Sequence, residues 1–244
     1  MGAYQRIQIS SSAYPDQGLT QSYTAPSNEQ LEVYKASAQN ALPTENAVGL
    51  FHTVATPHFK LYKLLAAGDT EFTSTIQAGT AVSIFNTTNN DGCLFQAKEK
   101  FNYIAFNISQ AQTGSPVYTY KYYNGSSYST LTLLNTPAYD ATGIQVIVFE
   151  APIDWAAGDG TEDADSTLYS IQVISTTAPS QAVQINSLKI GKMLSYSDAI
   201  PASGILEVEF NSEPLLLQVG EAIVPFFSYT DPSNRLELAY KVSP

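Results

Sequence analysis

The chain has 244 residues, of which 44% are hydrophobic and only 14% charged, and its 22 acidic against 11 basic residues give a net charge of −11. So few and so scattered basic residues argue against a protein that neutralises phosphates, whether on nucleic acid or on an anionic membrane. The single cysteine, Cys93, rules out an intrachain disulfide and a cysteine metal cluster.

The first residues lack an apolar signal core, and no run approaches the roughly 18 apolar residues of a membrane-spanning helix. The expectation is a soluble protein made in a cytoplasm. With charge scarce, polarity comes from Tyr, Thr, Ser, Asn and Gln, a profile that suits extended sheets and broad protein contacts.

Taken in chain order, the pattern predicts strands over residues 4–9, 31–38, 47–52 and 59–65. Turn chemistry separates them at Tyr14-Pro15-Asp16, at Ala25-Pro26-Ser27-Asn28 and around Pro43. Residues 59–66 are the best helix candidate but read equally well as a strand. Residues 1–28 include a Ser/Thr/Gln/Pro-rich stretch and read as an arm that orders on a neighbour, with Tyr4, Ile7, Ile9 and Tyr14 as its anchors.

Further strands are predicted over 81–86, 103–109, 117–123, 129–134, 144–150, 168–175 and 182–190. Turn signals recur about every ten residues, as in all-β sandwiches and barrels. The strongest local signal is Asn124-Gly125, flanked by two aromatic, β-branched runs; it predicts a hairpin closed by a two-residue turn. Tyr118, Tyr120 and Tyr122 then share one face. The tail predicts strands over 205–210, 214–218, 223–229 and 235–242. In the last of these Leu236, Leu238, Tyr240 and Val242 face inward, while Arg235, Glu237 and Lys241 face out.

The strands before residue 66 and those after 193 are each too few to close a core, but together they suffice for a two-sheet sandwich. The reading is therefore all-β: a jelly-roll-like outer sandwich over 1–66 plus 195–244, interrupted by an inserted sandwich over 67–194.

Several residue sets invite a site. Tyr118, Tyr120, Tyr122, Tyr123, Tyr128 and Trp155 read as core rings and cross-strand pairs, with a sugar-stacking platform as the alternative. The loop 158–165 holds Asp159, Glu162, Asp163 and Asp165 without the residue order of a known calcium loop, so a solvated acidic loop is the favoured reading. His52 and His58 lack an evident third ligand. Glu150 and Asp154 are a candidate glycosidase pair only in the sense that any two nearby acids are. No hydrolase, metalloprotease or phosphate-loop motif is present, so no catalytic residue, cofactor or metal is assigned.

Two sets of short motifs carry a resemblance. The first is Tyr23-Thr24-Ala25-Pro26, Leu31-Glu32-Val33-Tyr34-Lys35, Asn40, Val48-Gly49-Leu50, Ile200-Pro201-Ala202-Ser203-Gly204, Leu206 to Phe210, and Leu217-Gln218-Val219-Gly220-Glu221. It resembles small β-sandwich proteins of tailed-bacteriophage heads and tails, with Glu221 where those have Asp. The second, Tyr122-Tyr123-Asn124-Gly125-Ser126-Ser127-Tyr128 with Pro152-Ile153-Asp154-Trp155, resembles a module of phage virion proteins. Two positions that are Trp in that module are Tyr here.

The resemblance implies a non-enzymatic structural virion protein, first of all a capsid decoration (cement) protein, made in the host cytoplasm and carried on the virion. The implied partners are the major capsid protein or other virion proteins and further copies of the chain, a trimer being the family expectation; nucleic acid and membrane are not expected. The alternatives are a tail, baseplate or fibre component, or a carbohydrate-binding module for host glycans. Contact residues expected beyond the arm are Asn124, Gly125, Ser126, Tyr128 and Trp155.

Overall fold

The structure, a computed structural model, describes residues 5–10, 23–24, 30–53, 59–65, 69–158, 167–210, 213–217, 221–227 and 234–243. It is all-β and of sandwich type, with antiparallel pairing throughout the described ladders. The chain divides into two compact units: Met1–Ala55 with Gly191–Pro244, and Thr56–Ile190 between them.

The first unit contains β1 (Gln5–Ser10), β2 (Tyr23–Thr24), β3 (Gln30–Gln39) and β4 (Asn46–Thr53). In the second are β5 (Phe59–Leu64), β6 (Thr70–Glu71), the one-turn α1 (Thr73–Gln77), β7 (Val82–Phe85), β8 (Gly92–Ala97), β9 (Tyr103–Gln110), β10 (Val117–Tyr123), β11 (Tyr128–Thr130), β12 (Gly143–Val148) and β13 (Tyr169–Thr177). Strand β14 (Val183–Ile200) carries the chain from the second unit back into the first, which β15 (Ile205–Glu209), β16 (Leu215–Leu217), β17 (Ala222–Phe227) and β18 (Arg235–Ser243) complete.

In the first unit, one sheet has the order β1-β18-β3-β15, with β16 also on β3, and the other sets β4 between β14 and β17, with β2 outside β17. Leu31, Val33, Ala36 and Ala38 of β3 and Leu236, Leu238 and Tyr240 of β18 meet Val48 and Leu50 of β4 and Ile223 of β17 in one core. The inward positions of β3 change phase between Val33 and Ala36. A bulge makes this possible: Ala239 pairs with Lys35 and Tyr240 with Val33, leaving Tyr34 as the extra residue. The freed Tyr34 carbonyl accepts the Phe210 N–H at 2.8 Å.

One fully buried side chain, Asn40, fixes the corner of this unit. Its Nδ2 donates to the carbonyls of Thr44 at 2.9 Å, Ile200 at 3.0 Å and Pro201 at 3.1 Å, while its Oδ1 accepts Leu42 N–H at 3.1 Å. Its own N–H donates to Gly204 O at 2.9 Å. Nearby, Asn234 Oδ1 accepts Ala41 N–H at 2.9 Å. Backbone around 40–44 and 200–204 and the Asn234 side chain, far apart in sequence, are thereby joined by hydrogen bonds at one point.

In the second unit, the sheet β11-β10-β13-β8-β5-β6 faces β12-β9-β14, with β7 also on β14. Phe59, Leu61, Cys93, Phe95, Ile171 and Val173 from the first sheet pack with Ile104, Phe106, Ile108, Ile147, Val183 and Ile185 from the second. The Tyr118, Tyr120 and Tyr122 rings pack on this core, as their shared face requires. Tyr120 and Tyr139 hydroxyls lie 3.0 Å apart, and the Tyr118 hydroxyl donates to Gln112 Oε1. Burial pushes the Tyr120 phenol up to about 12, and it raises those of Tyr118 and Tyr139 as well.

Several expectations need correction. The 59–65 stretch is a strand, but it pairs with β8 and β6 and so belongs to the inserted unit, not the outer one. Strand β8 went unpredicted because all six of its residues are buried, which removes the alternation. Strand β14 continues past residue 190 to Ile200 through register shifts at 193–195 and 197–200 that break its periodicity. The predicted strand 129–134 ends at Thr130. After the Leu131 N–H reaches Tyr120 O, the chain leaves that sheet, and Leu134 N–H and the Asn135 amide bond along β12 instead. Finally, Asn124-Gly125 does not close a two-residue turn: Tyr123 pairs with Tyr128, so four residues form the loop. Gly125 has φ +94°, while Asn124 is not in the positive-φ region that a type I′ turn also demands of it.

Two outcomes are expected. Replacing Asn40 by Ala withdraws the donor from the buried Ile200 carbonyl, together with the bonds to Thr44, Pro201 and Leu42, and costs about 1–3 kcal/mol, read as a lowered denaturant midpoint. For Tyr120 the folded pKa is raised above the ordinary 10, so its neutral form is fully stabilising below pH 10 and that contribution is lost as pH rises towards about 12. Alkaline titration followed by circular dichroism should show stability falling across this window, and less steeply in Tyr120→Phe.

Candidate functional site at one end of the inserted unit

The residues expected to make contacts separate into three places. Tyr4 and Tyr14 lie outside the described residues. Ile7 and Ile9 sit in β1, whose backbone pairs with β18 of the same chain, Ile7 opposite Leu238 and Ile9 opposite Leu236. Residues 5–10 are thus a strand of this chain's own sheet and not a free arm. The remaining five fall at or near the β10–β11 end of the inserted unit.

The tip, residues 124–127, is built by Asn124. Its Oδ1 accepts from Ser126 N–H at 3.0 Å, Ser127 N–H at 2.9 Å and the Ser126 hydroxyl at 3.0 Å, and its Nδ2 donates to Ser129 Oγ at 3.0 Å. Asn124 N–H closes the loop on Ser127 O at 3.0 Å. Such side-chain-to-backbone bonding is what Asn supplies in turns. Gly125, Ser126 and Ser127 are exposed.

A second turn, residues 152–155, is tied to this tip. Ala156 N–H donates to Tyr123 O at 3.0 Å, and a Cβ at Gly125 would lie 3.3 Å from that of Ala156. Trp155, only 3% exposed, anchors the turn from below. Its ring lies edge-on to Phe101 at 5.0 Å, Phe149 at 5.9 Å and Tyr169 at 5.7 Å, and its Nε1–H donates to Ser170 O at 3.1 Å. Trp155 N–H reaches back to Pro152 O at 3.3 Å. The Tyr122 hydroxyl donates to Asp154 Oδ1 at 2.9 Å, and this bond to a carboxylate raises the Tyr122 phenol above its ordinary value. Lys100 Nζ lies 3.5 and 3.4 Å from the carbonyls of Pro152 and Ile153 and 5.7 Å from the Tyr169 ring.

Held on all sides, the turn presents one wholly exposed apolar side chain: Ile153, at 101% relative exposure. Sequence reading passed over it, although its place between a helix-incompatible Pro and a core-seeking Trp was the available signal. Trp155 was assigned to the contact surface and is instead its buried support, because the ring fills the end of the core. Tyr128 does not join Trp155 in a stacking platform either. It packs with Tyr62, Leu64 and Leu94 on the other face of its sheet and against the Tyr123 ring at 5.8 Å.

The other candidates are placed as follows. His52 Nε2 is 3.2 Å from Glu221 Oε2, a pair within the first unit, and His58 lies outside the described residues. Among the described residues no group of three or more His, Cys, Asp or Glu could hold a metal ion. The acidic residues 159–165 lie outside the described residues. Glu150 is exposed, and the Asp154 carboxylate is engaged by Tyr122. Chemically, the end of the unit offers hydroxyls, amides and one apolar knob on a fixed frame, and the Ser126 hydroxyl faces an amide oxygen, which is no general base. No protein-family model matches the chain, and no curated protein does.

The frame makes a differential expectation. Trp155→Ala should destabilise the fold by about 3–5 kcal/mol by opening a cavity. Tyr122→Phe, which removes one exposed rim hydrogen bond, should change stability far less. Thermal or urea unfolding of both variants checks the contrast; equal losses would show that Trp155 is not the anchor.

Proposed function

We propose that this is a non-enzymatic structural protein of a tailed-phage virion, a capsid decoration protein that stabilises an assembled shell through protein–protein contacts. The observation that best supports the reading is the joining of Asn40 to Ile200, Pro201 and Gly204 across some 160 positions of sequence. These are the residues that carry the resemblance to phage β-sandwich proteins. Motifs from the two ends of the chain thus belong to one folded unit, as a single resemblance interrupted by an insertion requires.

The physical basis of such a role is contact and not chemistry. A chain poor in charged residues and rich in Thr, Ser and Asn can lie against another protein with little desolvation cost. Individually weak contacts become strong when many copies bind one shell. The contact patch in this reading is the tip at 124–127 with Ile153 beside it, Ile153 being the side chain that buries the most new apolar surface. The negative net charge suits a position outside the shell, away from packaged nucleic acid. The partner is the major capsid protein or another virion protein, and further copies of this chain complete a homo-oligomer. For a glycan-binding reading, burial of Trp155 removes the largest flat ring that could have stacked on a sugar.

The test uses virions and shells stripped of this protein. Adding the purified protein back should raise the temperature at which the shells rupture, and Ile153→Asp should weaken rebinding by about tenfold or more. Shells that rupture at the same temperature with and without the protein would overturn the reading.

A further inference from the structure

The sequence Asn124-Gly125 has a chemistry that neither the fold nor the proposed function uses. With no side chain at Gly125 to shield it, the Gly125 backbone nitrogen can attack Cγ of Asn124. A Cγ–N bond forms, the Cγ–Nδ2 bond breaks, and ammonia leaves with the Gly125 amide proton. Water then opens the resulting succinimide at one carbonyl to give aspartate, or at the other to give isoaspartate. Water is the only other reactant.

The geometry points to Asn124 as a latent deamidation site that the hairpin tip's own hydrogen bonds hold unreactive. Attack requires the side-chain amide to swing onto the Gly125 nitrogen. In the structure that amide is fixed from both ends: Oδ1 accepts from Ser126 N–H, Ser127 N–H and the Ser126 hydroxyl, and Nδ2 donates to Ser129 Oγ, all between 2.9 and 3.0 Å. The loop is held in addition by Asn124 N–H on Ser127 O and by Ala156 N–H on Tyr123 O. The reaction therefore proceeds through local opening of the tip, and its rate reports that opening.

The two products differ in their effect. Aspartate keeps an oxygen to accept the Ser126 and Ser127 N–H groups and loses only the donor to Ser129, so the loop persists with one more negative charge. Isoaspartate adds a methylene to the backbone within the four-residue loop, which breaks the fit of Tyr123 opposite Tyr128. Either product alters the tip whether or not that tip contacts a shell, so the inference stands apart from the functional reading.

The experiment incubates the full chain in mildly alkaline buffer, native and guanidinium-denatured, and follows the peptide containing residue 124 by mass spectrometry, with isoaspartate scored by its chromatographic shift. The native chain should deamidate about tenfold or more slowly than the denatured chain. The double variant Ser126→Ala, Ser129→Ala, shown folded by circular dichroism, should react faster than the native parent. Equal rates in native and denatured chains would overturn the proposal, as would a folded double variant that reacts no faster than the parent.

Discussion

The first unit depends on one buried carboxamide. Asn40 lies where the chain turns out of β3, and its side chain donates to carbonyls of Thr44, Ile200 and Pro201 and accepts from Leu42 N–H, joining backbone from 42–44 to backbone from 200–201. A shorter or purely apolar side chain there would withdraw the donor from the buried Ile200 carbonyl and cut the ties to Thr44, Pro201 and Leu42, a loss that matters against a domain's small net stability. The ladders then follow: β3 pairs with β15, β16 and β18, all from the far end of the sequence. An inserted stretch is tolerated because the closing contacts are made by the segments that flank it, and a longer loop adds only slowly to the entropy of closure.

The inserted unit uses its aromatic residues differently from what their abundance suggests. Most of the rings in and after β10 are structural: Tyr118, Tyr120 and Tyr139 hold one end of the core, and Trp155 with Phe101 and Phe149 holds the other. Their consequence for function is indirect. Because Trp155 is fixed beneath it, the 152–155 turn keeps one geometry, and an exposed isoleucine on a rigid turn loses little conformational freedom when it is buried by a partner.

Alternation made much of this legible from sequence. Strands β10 and β18 were readable because they turn one face to a core: Tyr118, Tyr120 and Tyr122 pack on it, and Leu236, Leu238 and Tyr240 are inward as their period requires. Where both faces are buried, as in β8, or where bulges shift the phase, as in β14, the period disappears although the strand does not. The tip was identified but not its form, since Asn-Gly marks a turn while the Ser126, Ser127 and Ser129 groups decide which one. Trp155 was misplaced for a related reason. A large ring near a loop can point inward or outward, and only the partners Phe101, Phe149 and Ser170, distant in sequence, decide between them.

A protein that cements a shell by wide, mostly neutral contact belongs on the outside of that shell in many regularly spaced copies. Imaging virions at a resolution that places individual β-sandwiches tests this most directly. The account predicts density for both units at symmetry-related positions on the capsid exterior, with the 124–127 tip and Ile153 against a neighbouring chain. Density confined to the tail, or no copy of the protein in purified particles, would contradict it.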